Sequence, residues 1–319
     1  MGDFYAIENQ WVEPNKPQIS LHNRLYKYGD GFFESMLIHK GTILHLASHF
    51  ERINRSSKLL KIKLPLWLTV RSLRLLLLQK CETEGLKTAR VRLSIYRESS
   101  GYYTPSKNDS IAILELNEHP IYTWSEKGLK LCAFKELVKD NNYTSMLKTC
   151  NSLTYVMAGI HAAENHADAA LIFNQEQRIA EAHHSNVFLY NKNSIITPPI
   201  SEYCVNGVMR KVVMNIAKEY GYEVYEQPIT ELHLTTSDEV FLTNATQGVQ
   251  WVREYNGKPF KNNVSKNLFG KYFPEKNREI ALADYSKGDK NIPFEIINEV
   301  KGTDLEGLRY EQLLPYTQP

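Results

Sequence analysis

The sequence predicts an α/β (α+β) protein of two domains, a smaller one over residues 1–118 and a larger one over 128–280, joined by a linker at 119–127. Three observations carry this expectation. The chain has 319 residues, 42% hydrophobic and 23% charged, an ordinary globular balance with apolar material for two cores. Stretches that alternate apolar and polar residues, as half-buried strands do, interleave with stretches of helical spacing. Between the halves, the polar segment from Asn117 to Gly128, with Pro120 inside it, has the composition of a linker.

In the first half, Leu37-Ile38 and Ile43-Leu44 flank His39-Lys40-Gly41-Thr42, a hairpin with glycine in its turn. Phe50, Ile53, Ser57 and Leu60 recur at helical spacing and predict a helix from Ala47 to Ile62. A second helix runs from about Leu66 to Glu84 and ends near Gly85. Val91, Leu93 and Ile95 alternate with Arg90, Arg92, Ser94 and Tyr96, which is a strand with one buried face. Ile111 to Leu116 is expected to be its antiparallel neighbour.

In the second half, Leu153, Val156, Met157 and Ile160 mark a helix directly after Lys148, and Ala169 to Phe173 is a strand. Val187 to Tyr190 and Ile195-Ile196 form a hairpin across Asn191-Lys192-Asn193. Val208 to Tyr220 is a helix closed by Gly221, and Glu239 to Leu242 a strand leading into Thr243-Asn244-Ala245. Trp251 to Phe260 turns at Asn256-Gly257. There is no internal repeat and no low-complexity run.

A net charge of +2, from 38 basic and 36 acidic residues, shows no commitment to nucleic acid or to an anionic membrane. The first ten residues lack the basic start and apolar run of a secretory signal, and the greasiest segment, around Leu73 to Leu78, is far too short for a span. A cytoplasmic protein is expected. Cys81, Cys132, Cys150 and Cys204 lie far apart, so neither a disulfide framework nor a zinc site is suggested. His183-His184 is the remaining metal candidate, but neighbours on a strand point to opposite faces and no third ligand is in register. No metal is expected.

Lys148 stands between an apolar lead-in and a helix start, in Met146-Leu147-Lys148-Thr149-Cys150-Asn151. A lysine amine is a nucleophile toward carbonyls only when neutral, and an apolar pocket or a neighbouring cation makes it so. Alone, it reads as a solvated surface lysine, and only the segments around it change that. Asn206-Gly207-Val208-Met209-Arg210 sets a glycine at the mouth of a helix, where unpaired amides and the dipole favour phosphate; an ordinary cap by Asn206 is the other reading. Thr243-Asn244-Ala245-Thr246, small residues at a strand end, could add hydroxyl and amide donors. Glu181 could hold a pyridine nitrogen protonated, or lie on the surface beside Arg178.

Taken together these segments resemble the class IV aminotransferases, the fold type IV pyridoxal phosphate enzymes, which include branched-chain and D-amino-acid aminotransferases and 4-amino-4-deoxychorismate lyase. The likeness covers residues 1–280 and rests on ordered segments. These are Tyr28-Gly29-Asp30-Gly31-Phe32-Phe33-Glu34, His49-Phe50-Glu51-Arg52-Ile53, Lys148 with Asn151, and Glu181 with Ser185-Asn186-Val187-Phe188, followed by Gly207-Val208-Met209-Arg210 and Thr243-Asn244-Ala245.

The resemblance implies a small N-terminal α/β domain and a larger pseudobarrel domain, with pyridoxal 5'-phosphate as cofactor and amino acids and keto acids as substrates. By it, Lys148 forms a Schiff base with the cofactor and shuttles the Cα proton, while Glu181 pairs with the pyridine nitrogen. Arg52, the amides of Val208 and Met209, and Asn244-Ala245 would hold the phosphate. Phe33, Glu34 and Thr246 would line the substrate side, with Arg97 and Tyr103 as contacts for a substrate carboxylate. A homodimer is expected, since Phe32, Phe33 and Tyr103 would otherwise be exposed aromatics.

The expected activity is transamination. A lyase releasing pyruvate and 4-aminobenzoate is the alternative, and a non-catalytic ligand-binding protein is a third reading. Branched-chain enzymes usually carry threonine where this chain has Met209 and tyrosine where it has Leu153. The Val205 to Arg210 string, and Asn151 three residues after Lys148, are closer to the lyases. Residues 282–319 resemble a fragment of the editing region of isoleucyl-tRNA synthetase without its nucleotide-binding signatures. A chimeric or misassembled reading frame is expected there, with a docked accessory segment as the alternative and Phe294, Ile296, Ile297 and Leu308 as a candidate strand.

Overall fold

The computed structural model describes residues 3–13, 20 and 22–272. The expectations for residues 281–319, the strand around Ile296 included, lie outside the described residues.

The first sheet is built from β1 (Phe4–Ile7), β2 (Gln10–Val12), β3 (Gly31–His39), β4 (Thr42–Ile43), β5 (Thr88–Arg97) and β6 (Ser110–Glu118). Its order is β2-β1-β6-β5-β3-β4, with every neighbouring pair antiparallel. A short α1 (Arg24–Tyr28) precedes β3, and α2 (Leu46–Leu60) and α3 (Val70–Thr83) separate β4 from β5. Alternation along the strands sends Met36, Ile38, Val91, Leu93, Ile95 and Leu114 into one core with Ile53, Leu73 and Leu77 of the helices. Helix α3 starts four residues later than the spacing predicts, because Thr69 caps it: its Oγ1 accepts the Ser72 N–H at 3.1 Å.

The second sheet comprises β7 (Leu129–Lys139), β8 (Ala169–Asn174), β9 (Ile179–Ala182), β10 (Asn186–Asn191), β11 (Ser194–Thr197), β12 (Glu223–Glu226), β13 (Glu239–Asn244), β14 (Gly248–Tyr255) and β15 (Lys258–Pro259). Its order is β12-β11-β10-β13-β14-β7-β8-β9, with β15 on β14. Strands β9 and β10 stand far apart in that order, yet a tight turn joins them and Ala182 bridges Ser185. The sheet therefore curls on itself. Helices α4 (Leu153–Glu164), α5 (Val208–Glu219), α6 (Glu231–Thr236) and α7 (Asn263–Tyr272) complete this half. Among the described residues, no helix is long and apolar enough to cross a membrane.

Two local expectations change. His183 and His184 sit in the turn after β9 rather than on a strand, so their rings lie together, centroids 4.3 Å apart, instead of on opposite faces. On α4 the buried residues are Ala158 and Ala162, while Leu153, Val156 and Ile160 are exposed. The small alanines let the helix lie close on β7 and β8, which turns the larger apolar stripe outward.

Candidate active site

Lys148 is held by its backbone across to the first sheet. The Phe33 N–H donates to the Lys148 carbonyl and the Cys150 N–H to the Gly31 carbonyl, both at 2.9 Å, so the lysine segment adds to the start of β3. Its side chain passes over Phe33, with Nζ 4.4 Å from the ring centre. Burial, and next the Arg52 cation, push the amine down to about 8, against a weaker pull from Glu34 and Glu181. Gly29 explains part of the motif before it: a Cβ there would collide with Asn151 Oδ1, three residues after Lys148.

Arg52, on α2, is fixed by Glu34 of β3. Nε donates to Glu34 Oε1 at 2.7 Å and Nη2 to Oε2 at 2.6 Å, while Nη1 donates to the Asn206 carbonyl at 3.0 Å. Of the guanidinium's roughly five N–H groups, these contacts use three and leave two for an anion. His49 Nδ1 lies 2.7 Å from Glu34 Oε2. Burial would raise the Glu34 carboxyl, but the Arg52 guanidinium and the hydrogen bonds from Arg52 and His49 bring it down to about 2. The Asn206 contact ties this trio to the mouth of α5. There Gly207 is the N-cap with no side chain over the first-turn amides. A Cβ on Gly207 would run into Asn186 Oδ1.

Glu181, on β9, is buried. Its Oε1 accepts from Lys139 Nζ at 2.6 Å and from the Tyr155 hydroxyl at 2.8 Å, and Oε2 accepts the Val205 N–H at 2.9 Å. Beside it, burial, His183 and Lys148 push the His184 imidazole down to about 4, so it is neutral at physiological pH. His184 Nδ1 lies 2.8 Å from Ser185 Oγ, which accepts from Asn244 Nδ2 at 2.9 Å.

All of this surrounds one cavity of about 620 Å³, a volume suited to a cofactor with a small substrate. Its wall brings together Lys148, Arg52, Glu181, Val208, Met209, Asn244, Ala245, Thr246 and Phe33 from the sequence-predicted set.

Three predicted residues do not line it. Glu34 is almost fully buried behind Arg52. Arg97 is committed elsewhere: Nε donates to Asp30 at 3.1 Å, and the guanidinium also bonds Asn108 and the Leu60 and Lys61 carbonyls. Tyr103 is 88% exposed, with its ring against Tyr28.

In their place β5 contributes Arg90 and Arg92, with His119 close by on the wall. The Arg92 guanidinium lies 3.7 Å from the centre of the Phe33 ring. The alternation of β5 signalled this cationic face, since polar positions two apart share a side, but alternation does not say whether that side meets water or a cavity. Lys139 and Tyr155 carried no signal: one stands at the irregular end of β7 and the other inside α4.

The sequence pattern of the Amino-transferase class IV family matches residues 31–255, most of the described chain. The chain belongs to the class IV aminotransferase family. A protein of Methanocaldococcus jannaschii assigned as a branched-chain-amino-acid aminotransferase is 27% identical over 275 residues, covering 83% of this chain and 94% of its own. An aminodeoxychorismate lyase of Vibrio harveyi is 26% identical over 243 residues, 75% of this chain and 88% of its own. The solved branched-chain aminotransferase of Thermoproteus uzoniensis, crystallised with norvaline, superposes with a TM-score of 0.77 at 20% identity, covering 85% of this chain and 94% of that one. The curled sheet is thus the fold of type IV pyridoxal phosphate enzymes.

Class IV aminotransferases use pyridoxal phosphate, and this cavity suits it at three points. Lys148 would offer an amine near neutrality to the aldehyde, and Glu181 a carboxylate to the ring nitrogen. Arg52 and the uncapped amides of α5 would offer donors to the phosphate. Thr243 Oγ1, on the same wall, is buried without a hydrogen-bond partner among the described residues, and would be a further donor to such an anion.

Proposed function

We propose that this class IV aminotransferase transfers amino groups between amino acids and keto acids, with Lys148 as its catalytic residue. The observation that carries the reading is the Lys148 amine, buried and lowered to about 8, in one cavity with Glu181 and the open first turn of α5. Bound there, pyridoxal phosphate supplies an electron sink for charge developing at the substrate Cα. Lys148 Nζ takes up and returns the Cα proton, which its lowered pKa suits. Glu181 accepts the ring N–H. Arg52, the Val208 and Met209 amides and the Asn244-Ala245 turn anchor the phosphate. Phe33 forms an apolar wall for the substrate side chain, and Thr246, also on the cavity wall, contributes to substrate binding. Arg90 and Arg92, at the cavity wall, provide positive charge for a substrate carboxylate, the role expected of Arg97 and Tyr103.

The lyase is the second reading. It is favoured by the Vibrio harveyi relative and by Asn151 and Met209, which match the lyase pattern more closely than the branched-chain one. The reading includes a homodimer, supported by the outward Leu153, Val156 and Ile160 stripe of α4 and the exposed Tyr103. Phe32, by contrast, is buried within the chain, and Phe33 faces the cavity. Four free cysteines accord with a cytoplasmic setting.

The test is to load the purified protein with pyridoxal phosphate, record its visible spectrum, and add leucine, glutamate and D-alanine in turn. Transamination converts the cofactor to its amine form with at least one of them. No change with any of the three, together with release of pyruvate and 4-aminobenzoate from aminodeoxychorismate, would establish the lyase instead.

A further inference from the structure

The Glu181 carboxylate does not stand alone. Strand β7 pairs in register with β8 as far as Phe134 and Ile172, then loses register before Lys139 meets Asn174. This irregularity ends with the Lys139 side chain in the interior, 5% exposed. An ammonium has about three N–H donors. Here all are used: Nζ donates to the Ser145 carbonyl at 2.7 Å, the Tyr155 hydroxyl at 2.7 Å and Glu181 Oε1 at 2.6 Å. Tyr155 in turn donates to the same Oε1 at 2.8 Å, which closes a ring of three side chains.

We propose that Lys139, with Tyr155, is a positioning residue that sets how Glu181 meets the cofactor's ring nitrogen. This role presupposes the pyridoxal phosphate reading above. A carboxylate has roughly four lone-pair positions. Lys139 and Tyr155 fill those of Oε1, the Val205 N–H takes one of Oε2, and a single acceptor position on Oε2 remains for a ring N–H. The rotation of the carboxylate is thereby fixed. Lys139 also holds the carboxylate from its far side, so the open position of Oε2 stays turned toward the ring nitrogen. The same cation adds positive potential to a cavity that already holds Arg52 and Arg92 near Lys148. It therefore resists protonation of any group formed at Lys148.

A purely structural ion pair predicts none of this, and buried pairs contribute little net stability in themselves. The experiment follows the visible absorption of the cofactor-loaded protein across pH in three variants. Lys139→Gln removes the charge and keeps an N–H donor, Lys139→Arg keeps both, and Tyr155→Phe removes only a hydroxyl. Arg52, Arg92, Glu34, Glu181 and His184 are unchanged in all three, so a difference in the titration reports Lys139 and Tyr155.

We expect the midpoint to rise by roughly one pH unit in Lys139→Gln, the order of shift that loss of one buried charge gives. It should stay at the parent value in Lys139→Arg and rise by less in Tyr155→Phe. A Lys139→Gln midpoint equal to the parent's, or a Lys139→Arg shift as large as that of Lys139→Gln, overturns the proposal. Should Lys139→Gln not accumulate as folded protein, an unmoved Tyr155→Phe titration overturns it equally. Absence of a visible band and of a borohydride-trapped label at Lys148 in the parent protein would instead sink the cofactor reading beneath it.

Discussion

A lysine amine lowered to about 8 makes the protein's encounter with an aldehyde depend on pH in a defined direction. The neutral fraction of Lys148 grows as pH rises through about 8 and is nearly complete well below the usual lysine value of about 10.4. Covalent capture of pyridoxal phosphate by the apo-protein should therefore accelerate through that value and then level off; a rate still climbing past pH 10 would contradict the buried amine. Lys148→Ala should abolish turnover and leave no borohydride-reducible adduct, and a retained adduct would move the chemistry to another residue. Glu34 yields the opposite dependence. Its carboxyl is brought from 4.5 down to about 2, so its stabilisation is present above about 4.5 and is lost as pH falls toward 2. Glu34→Gln should cost about 3 kcal/mol in denaturant unfolding at neutral pH, since it leaves the Arg52 charge without its buried counterion. The gap to the parent should close on acidification from pH 4.5 to 2; a gap independent of pH would refute the pairing. At this scale Lys148, Arg52 and Glu181 were legible because each sits in a short motif. Arg97 was not, because nothing local tells an arginine facing a cavity from one spent on Asp30 and two backbone carbonyls.

Among the elements, the start of α5 is the most tightly constrained. Gly207 has φ −67°, so its backbone conformation suits any residue, and glycine is needed there for space alone. A Cβ would meet Asn186, whose Nδ2 holds the Val205 carbonyl at 2.8 Å and so fixes the approach to the helix. Gly207→Ala should displace that contact, at roughly 1–3 kcal/mol of overpacking, and shift the first-turn amides away from the phosphate. Weaker retention of pyridoxal phosphate on dialysis, with a lower melting temperature, is the expected result. A variant that holds the cofactor as the parent does would place the phosphate elsewhere. Helical and strand periods made most of these elements readable, from the β3–β4 hairpin to the helix that Gly221 closes. What the period could not supply was the direction of a face. On α4 Leu153, Val156 and Ile160 turned out exposed, while Met157 of the same predicted stripe packs on the core. On β5 the charged side faced a cavity and not solvent. Amphipathic spacing identifies two sides of an element, and only the neighbours that tertiary structure brings decide what each side meets.

For the whole molecule, the first sheet follows from alternating strands and the second from short continuous apolar runs buried on both faces, whereas the curl that brings β9 back to β10 depends on long-range pairing that no local window contains. Every residue lining the cavity lies between Phe33 and Gln247, among the described residues that end at Tyr272. Removing residues 282–319 should therefore leave cofactor binding and turnover unchanged, and loss of either on truncation would assign the tail a part in the enzyme. The exposed stripe of α4 bears on assembly. Leu153 is 69% exposed, Val156 53% and Ile160 46%, spaced so that they share one face of the helix. The helix begins five residues after Lys148, and Tyr155 on it bonds Glu181, so a partner seated on that stripe would also steady one wall of the cavity. A dimer in light scattering is the expected state of the parent protein. Val156→Glu with Ile160→Lys should convert it to a monomer, because two charges in an apolar interface are costly to bury. The same pair should weaken turnover through α4 while leaving Arg52 and α5 free to hold phosphate. A parent protein that is monomeric and fully active, or a double variant that still dimerises, would separate α4 from the interface and leave its apolar face without this role.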